Sequence, residues 1–500
     1  MTSKQITSAL LFAFLMSSTV SAQAPAVNTS ASVERSRETR KVLESNALVL
    51  IEQVINDSPQ LIDENRIFVL TRVIDLMWKR NEKEARSILQ EVTRQFLETA
   101  PTLNGAEPDA ESLRDRRLAL RQDLLEVLAR HDPKSALEFL HASRQVSDPD
   151  LESQLSLSLA STIGEEDPDL AVRLAEQSLR HYMSLQFVDL VTVIQNKDRL
   201  AAARLANSVL LKLQTEDFIT YPEAIEVACG LLRVGVRSGH VTSEGLAQYA
   251  SPLIDEQGLR KLAEIVSAAA LRSRPLNAQT LTLLQEVLPE VERYAPRTAA
   301  RVRRNLTARG ESTQGGNPEN DDSTSAPETL NADGTEKDAA SPFTKRVTDF
   351  IREAGEKETG GEAVLALELL NQARGLIGIR AKNAEQLVEQ FLLACAYASL
   401  APRHGFEIIE TMVDRLNQLA DAVVVIDGFL NDEQLARGDQ LLLVPLAASW
   451  ERVLEGHRRE LVWLALADFD RIKSVTDGFQ RAEVRIMARL LLAQSVLSDG

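Results

Sequence analysis

The sequence predicts an all-α protein of stacked helical hairpins, α-solenoid-like, in two blocks joined by a disordered linker. Three observations carry this expectation. Gly (22), Pro (17) and aromatic residues (4%) are scarce, while Leu, Ala, Arg and Glu, which lose little freedom in a helix, dominate. A 3.6-residue apolar period begins near residue 41 and is rarely interrupted. Segments opened by Asp recur at spacings of 35 and then 31 residues. The β-branched and aromatic runs that mark sheets are nearly absent.

The first stretch, 1–22, reads as a secretory signal. Lys4 supplies a positive start, Ala9 to Met16 form a short apolar run, and Val20 and Ala22 are the small residues a signal peptidase needs before its cut. The run is too short to span a bilayer, and no cysteine follows it to carry a lipid anchor. A periplasmic or secreted bacterial protein is therefore expected. Removing the segment takes one Lys and no acid, which moves the formal charge from −17 to −18. Residues 23–40 are polar and contain proline, and they are expected to be disordered.

A helical repeat block is expected over 41–308. Leu43, Ala47, Leu50, Ile51 and Val54 share one face. Ala85, Ile88, Leu89, Val92 and Phe96 form another, and Ala202, Leu205, Ala206, Val209, Leu210 and Leu213 a third. Asp132-Pro133, Asp167-Pro168 and Asp198 open three related segments in which Ala136, Ala171 and Ala202 fall in register. Asp at the N-cap accepts from free helix N–H groups, and Pro at the next position loses a donor that was unpaired anyway. Each segment therefore starts a helix, and a second one, such as Leu151 to Ile163, follows. A two-helix period in the low thirties is the signature of a stacked array, since one pair cannot bury its apolar stripe alone.

The junctions LARHDPKSALEFL and GEEDPDLAVRLA, within 125–215, resemble those of tetratricopeptide-like and HEAT-like repeats. The Trp, Leu-Gly and Tyr positions of the full tetratricopeptide pattern are not present, so the likeness is to a divergent member. The chain as a whole resembles exported helical proteins of bacteria. These resemblances imply a fold and no particular activity.

Residues 309–342 break the period. They hold eight acids against Arg309 and Lys337, giving −6, and are expected to form an acidic flexible linker. A second helical block is expected over 343–500. It opens with Phe343, Val347, Phe350 and Ile351, and Ala366 to Leu370 echoes Ala136 to Leu140. Val423 to Ile426 looks strand-like alone but continues a helical series from Leu416, Leu419 and Ala420.

Motifs that carry chemistry are few. The sequence contains no nucleophile elbow, phosphate loop, dinucleotide fingerprint, H-E-x-x-H or C-x-x-C. His131, His141, His181, His240, His404 and His457 include no i, i+4 pair, and no metal or other cofactor is expected. Cys229 and Cys395 lie in apolar series and are read as buried small residues. Glu165-Glu166-Asp167 reads as helix-start chemistry, and Asp321-Asp322 as linker charge. Trp78, Trp450 and Trp463 are too scattered to define a sugar-binding cleft. Arg114, Arg116, Arg117 and Arg121, interleaved with Asp115, read as ordinary helix surface. One feature stands apart. Arg297, Arg301 and Arg304 fall at i, i+4 and i+7 after Pro296, with Arg303 and Arg309 close by. Two readings stand for this stripe: a solvated face, or a face that meets an anion, for which the acidic stretch that starts at 309 is available within the chain.

The expected function is that of an exported helical-repeat interaction or scaffold protein with a protein or peptide partner. An overall charge of −17 argues against nucleic acid and anionic membrane surfaces as partners, and no integral membrane segment is expected after signal cleavage. The alternatives are a hydrolase or lyase acting on an envelope polysaccharide or peptidoglycan from a helical scaffold, and a structural spacer or self-assembling array.

Overall fold

A computed structural model describes residues 30–99, 110–144, 149–215, 223–239, 253–272, 278–304, 342–378, 380–429 and 435–498. The expected signal (1–22) lies outside these residues, as does the expected linker except for Pro342, which opens a helix.

The elements run in order as follows. The first four helices are α1 (Ser30–Asp57), α2 (Asp63–Met77), α3 (Glu82–Glu98) and α4 (Ala110–His131). Next come α5 (Pro133–Ala142), α6 (Pro149–Ile163), α7 (Pro168–Ser178), α8 (Gln186–Lys197), α9 (Arg199–Thr215), α10 (Glu223–Gly239), α11 (Glu256–Arg272), α12 (Ala278–Glu286), α13 (Leu288–Tyr294) and α14 (296–304). The last stretch holds α15 (Pro342–Thr359), α16 (Ala363–Leu376), α17 (Ala384–Leu400) and α18 (Pro402–Asp427). It continues with strands β1 (Ala436–Arg437) and β2 (Gln440–Leu441), then α19 (Ala447–Ala467), α20 (Phe469–Asp477) and α21 (Ala482–Leu497). The fold is all-α, with one short antiparallel hairpin among the described residues.

Two compact units divide the chain: Leu125–Asn331 forms one, and Met1–Leu124 with Ala332–Gly500 forms the other. This grouping corrects the expected blocks of 41–308 and 343–500. Residues up to 124 group with the last third of the chain, and Ile62, Asn65 and Asp57 have hydrogen-bond partners there more than 370 residues away, a relation no local period carries.

In the 125–331 unit, α6 pairs with α7, α8 with α9, and α10 with α11. Helices α6, α8 and α10 stack in one layer, and α7, α9 and α11 in the other. The starts are fixed as the sequence predicts. Asp132 Oδ1 accepts from Ser135 N at 3.1 Å, Asp167 Oδ1 from Leu170 N at 3.0 Å, and Asp198 Oδ1 from Leu200 N at 2.9 Å and Ala201 N at 3.0 Å. Ala171 and Ala175 on α7 and Ala202 and Ala206 on α9 are fully buried, so these two packed helices meet with little between their backbones. Leu205, Val209, Leu210 and Leu213 complete the buried stripe of α9. Ser178 Oγ donates to Ser153 O at 2.6 Å, tying α7 to α6 without leaving a buried hydroxyl unpaired.

In the other unit, hairpins α15/α16 and α17/α18 share a core of Val347, Leu370, Ala373, Leu393, Ala394 and Tyr397. Gly361, at φ 79°, ends α15 in the left-handed conformation, and Glu362 N reaches back to Lys357 O at 2.9 Å. Gly405 lets α18 lie against α17, since a Cβ there would stand 2.8 Å from Ala394 O. Helix α19 packs on α17, α18 and α21, and α21 packs on α1. The first and last described helices thus form a pair of their own. Val423 to Ile426 lies within α18, as expected.

Helix α1 begins at Ser30, so the expected disorder of 23–40 is corrected over 30–40. That stretch has neither Gly nor Pro, the Arg40–Glu44 pair (3.3 Å) supports its continuation, and the buried stripe of α1 from Leu43 to Val54 supplies a packed template for extending the helix.

Candidate functional site

Helix α14 follows Ala295, whose backbone breaks it from α13. Val302 and Ala299 are buried and fix its orientation, which leaves Arg297, Arg301, Arg303 and Arg304 on the exposed side. Thr298 Oγ1 meets Ser267 Oγ of α11 at 3.0 Å and holds the helix on the stack. Arg303 pairs with Glu292 of α13. Arg304 Nε donates to Ala300 O at 3.3 Å, and Arg297 and Arg301 make no ion pair or side-chain hydrogen bond among the described residues. A shallow depression beside the row is lined by Glu292, Pro296, Ala299, Ala300, Arg303 and Arg304. The structure thus brings the predicted arginines together as an exposed row next to a small apolar floor.

The other predicted surface is corrected at Arg116, Arg117 and Arg121, while Arg114 is exposed as expected. Arg116 and Arg121 are 5% and 0% exposed. Arg116 Nε stands 3.5 Å from Glu64 Oε2, and its Nη1 donates to Ser112 Oγ at 2.6 Å. Arg117 donates to Thr99 O at 3.0 Å and Phe96 O at 3.2 Å while its guanidinium lies 4.7 Å over the Phe96 ring. Burial, with Arg121 nearby, holds its pKa below the ordinary arginine value. Arg117 closes the end of α3, whose last carbonyls need donors. An interleaved Asp115 signalled solvent; the carbonyls that recruit Arg117 have no signature in the sequence.

A polar latch, which sequence reasoning missed, joins distant parts of the larger unit. Asn65 is fully buried; its Nδ2 donates to Leu441 O at 2.7 Å, and Leu443 N donates to its Oδ1 at 2.9 Å. Gln440 accepts from Ile62 N at 3.0 Å and donates to Gln60 O at 2.7 Å. The carboxylate of Asp427 takes Leu435 N and Ala436 N at 2.6 and 3.1 Å, and Glu483 takes Leu441 N at 3.0 Å. Arg489 bridges Asp57 (2.6 Å) and Asp477 (2.7 Å) across α1 and α20. Every one of these contacts satisfies backbone or charge, so the latch reads as structure.

Histidines do not gather. His131 closes α4 and His141 lies in the last turn of α5. His181 is exposed after α7, and His240 lies outside the described residues. Arg374 Nη1 stands 2.9 Å from His404 Nδ1 and its Nη2 donates to Glu407 at 2.9 Å. Glu407 Oε2 also lies 3.3 Å from that nitrogen. Arg374 and His404 hold the Glu407 carboxyl below its ordinary pKa. His457 sits in a non-helical turn inside α19 (φ −133°, ψ 17°), edge-on to Phe391, and burial lowers its pKa. Among the described residues no group of His, Cys, Asp and Glu has metal-holding geometry.

Cys229 and Cys395 are buried free thiols, and burial pushes the Cys229 pKa up to about 12 and that of Cys395 well above its usual value. They are packing residues, as expected. Glu165, Glu166 and Asp167 are exposed, with Asp167 capping α7, and Asp321-Asp322 lies outside the described residues. Trp78 and Trp463 are half-buried, beneath Arg86 (4.9 Å) and Arg459 (4.4 Å) respectively. The side chain of Trp450 lies outside the described residues. No described helix is long and apolar enough to cross a membrane.

No family model and no curated protein matches this chain. One similar solved structure is described as a circular tandem repeat protein with novel repeat topology and enhanced subunit contact surfaces. It is 15% identical, the match covers 93% of this chain and 96% of that one, and the TM-score is 0.16. At that score the helical repeat-like fold rests on this chain's own stacked hairpins.

Proposed function

We propose that this chain is an exported interaction protein of the bacterial periplasm or exterior, presenting the face of stacked hairpins to a protein or peptide partner. The observation that carries the reading is the continuity of side chains across successive repeats on α7 and α9. Arg204 reaches Asp169 at 2.6 Å and Ser208 reaches Glu176 at 2.8 Å. Leu200 and Leu211, three turns apart on the same side of α9, remain 78% and 63% exposed. Apolar side chains framed by an ordered polar network, repeated along a stack, make the kind of extended surface that recognises other chains.

Capture from cell-envelope extract with the mature chain as bait, followed by size-exclusion chromatography, tests it. The expected result is a reproducible partner whose capture falls when Leu200→Asp and Leu211→Asp are combined. A chain that stays monomeric and captures nothing across several conditions overturns the proposal. Self-association alone would replace it with the array reading. Fractionation of cells expressing the full chain tests export, and material confined to the cytoplasm sinks that part.

A further inference from the structure

Residues 293–309 hold six Arg and no Asp or Glu, in a chain whose net charge is −17. Several other exposed arginines sit one turn from an acid, as in Arg86–Glu82, Arg94–Glu98, Arg260–Glu256 and Arg352–Glu356. On α14 the positions one turn from Arg301 are Arg297 and Arg304 themselves. Like charges at this spacing weaken a helix by about 0.2–0.5 kcal/mol per pair. A solvated face would lose nothing by interleaving acids as the other helices do. The row is therefore disposed toward negative charge brought from outside it.

We propose that Arg297, Arg301 and Arg304 form a docking site for an acidic protein segment, with Pro296, Ala299 and Ala300 receiving a small apolar side chain beside the carboxylates. This rests on the interaction role proposed above and names the chemistry of one partner. The guanidinium positions are separated by about 6 and 4.5 Å along the axis, from the 1.5 Å rise per residue. Carboxylates at one-turn spacing on a partner helix repeat those intervals, and each pair can form two parallel charge-assisted hydrogen bonds. The floor of the depression decides between classes of polyanion. A phosphate polymer has nothing apolar to place over Pro296 and Ala300, whereas a peptide does. Glu292, held by Arg303 at the margin, repels a carboxylate placed too far toward α13 and so sets the register.

The test is fluorescence anisotropy on the full chain. The probe is a short labelled peptide with Glu at one-turn spacing in an Ala and Leu background, compared with its Gln counterpart and with inorganic polyphosphate. The expected result is binding of the Glu peptide that weakens as salt is raised, with no binding of the Gln peptide. Combining Arg297→Glu and Arg301→Glu should weaken binding by about tenfold or more, which is about 1.4 kcal/mol, while Arg352→Ala leaves it unchanged. Both substituted residues are exposed, and an unaltered thermal midpoint confirms that the variant folds. Absence of peptide binding overturns the inference, as does affinity unchanged in the double variant, or polyphosphate that binds more tightly than the peptide. In envelope capture, a partner retained equally by the double variant overturns the inference and leaves the interaction role standing. Loss of capture by the wild-type chain as well brings down the role itself.

Discussion

The two units use the same building block, a pair of antiparallel helices, and close it in opposite ways. In the 125–331 unit each pair is assembled from neighbours in sequence, and its helices begin where Asp132, Asp167 and Asp198 cap them. In the other unit the last pair is α21 with α1, and the hairpin around Gln440 is fastened to α2 through Asn65. The contrast teaches that local and distant determinants serve different ends. Local caps set where a repeat starts, while distant polar contacts decide which repeat it packs against.

If that contrast is right, the largest effect should come from the latch. Asn65→Ala leaves the buried Leu443 N–H and Leu441 carbonyl without their partner, and should cost roughly 3 kcal/mol. Hydrogen exchange should then quicken in α1–α3 and α19–α21 together, with 149–215 unchanged; loosening confined to α2 would break the comparison. Gly405→Val pushes a side chain into Ala394 O across the α17/α18 hairpin, with an expected loss of about 2 kcal/mol by overpacking. Urea unfolding that is indifferent to this change would show that α17 and α18 can separate freely. Asp132→Ala and Asp167→Ala should each cost about 1 kcal/mol, confined to the 125–331 unit. Their sum in the double variant sharpens the picture, since independent caps add.

A smaller effect should depend on pH. His457 has a folded pKa below its unfolded one because burial disfavours the charged ring. Its stabilising contribution is present above the unfolded histidine value, about pH 6.5, and is lost as pH falls through the folded one. Glu460, one turn away, is shifted upward by burial, so its contribution is present below the unfolded carboxyl value and lost as pH rises through its folded pKa. Acidification through the histidine range should therefore remove a His457 contribution from the α15–α21 region, opposed by that of Glu460, while sparing α6–α11, and His457→Asn should abolish the histidine part. A slope equal in both units would point away from His457. Smallest of all, Glu98→Gln breaks only an exposed one-turn pair with Arg94 and should change stability by less than about 0.5 kcal/mol.

What the sequence made legible follows the same division. The stripes of α1, α3 and α9 are buried as the 3.6-residue period foretold, from Leu43 through Phe96 to Leu213. The caps at Asp132, Asp167 and Asp198 are where the repeated Asp-opened segments placed them, and the arginine row of α14 is exposed. Three things were hidden. Arg116 and Arg121 carry charge, and charge in a mixed helix ordinarily means solvent; Arg116 is instead buried against Glu64, fifty-two positions away. Asn65 and Gln440 are common polar residues whose meaning lies in a segment nearly four hundred positions away. The kink at His457 follows Gly456, and a lone glycine inside a helical series does not by itself break the helix. Period and capping are properties of a few consecutive residues, whereas these three are properties of contacts that exist only after collapse.

The pairing of α1 with α21 also sets a clock. A ribosome adds about 5–20 residues per second, so the gap between Asp57 and Leu497 corresponds to roughly 20–90 s of synthesis. Throughout that interval α1 has emerged without the surface that covers Leu50, Ile51 and Val54. Helices α6–α11 pack against neighbours in sequence and need no later segment, whereas the larger unit must wait for its last helix to cover its first.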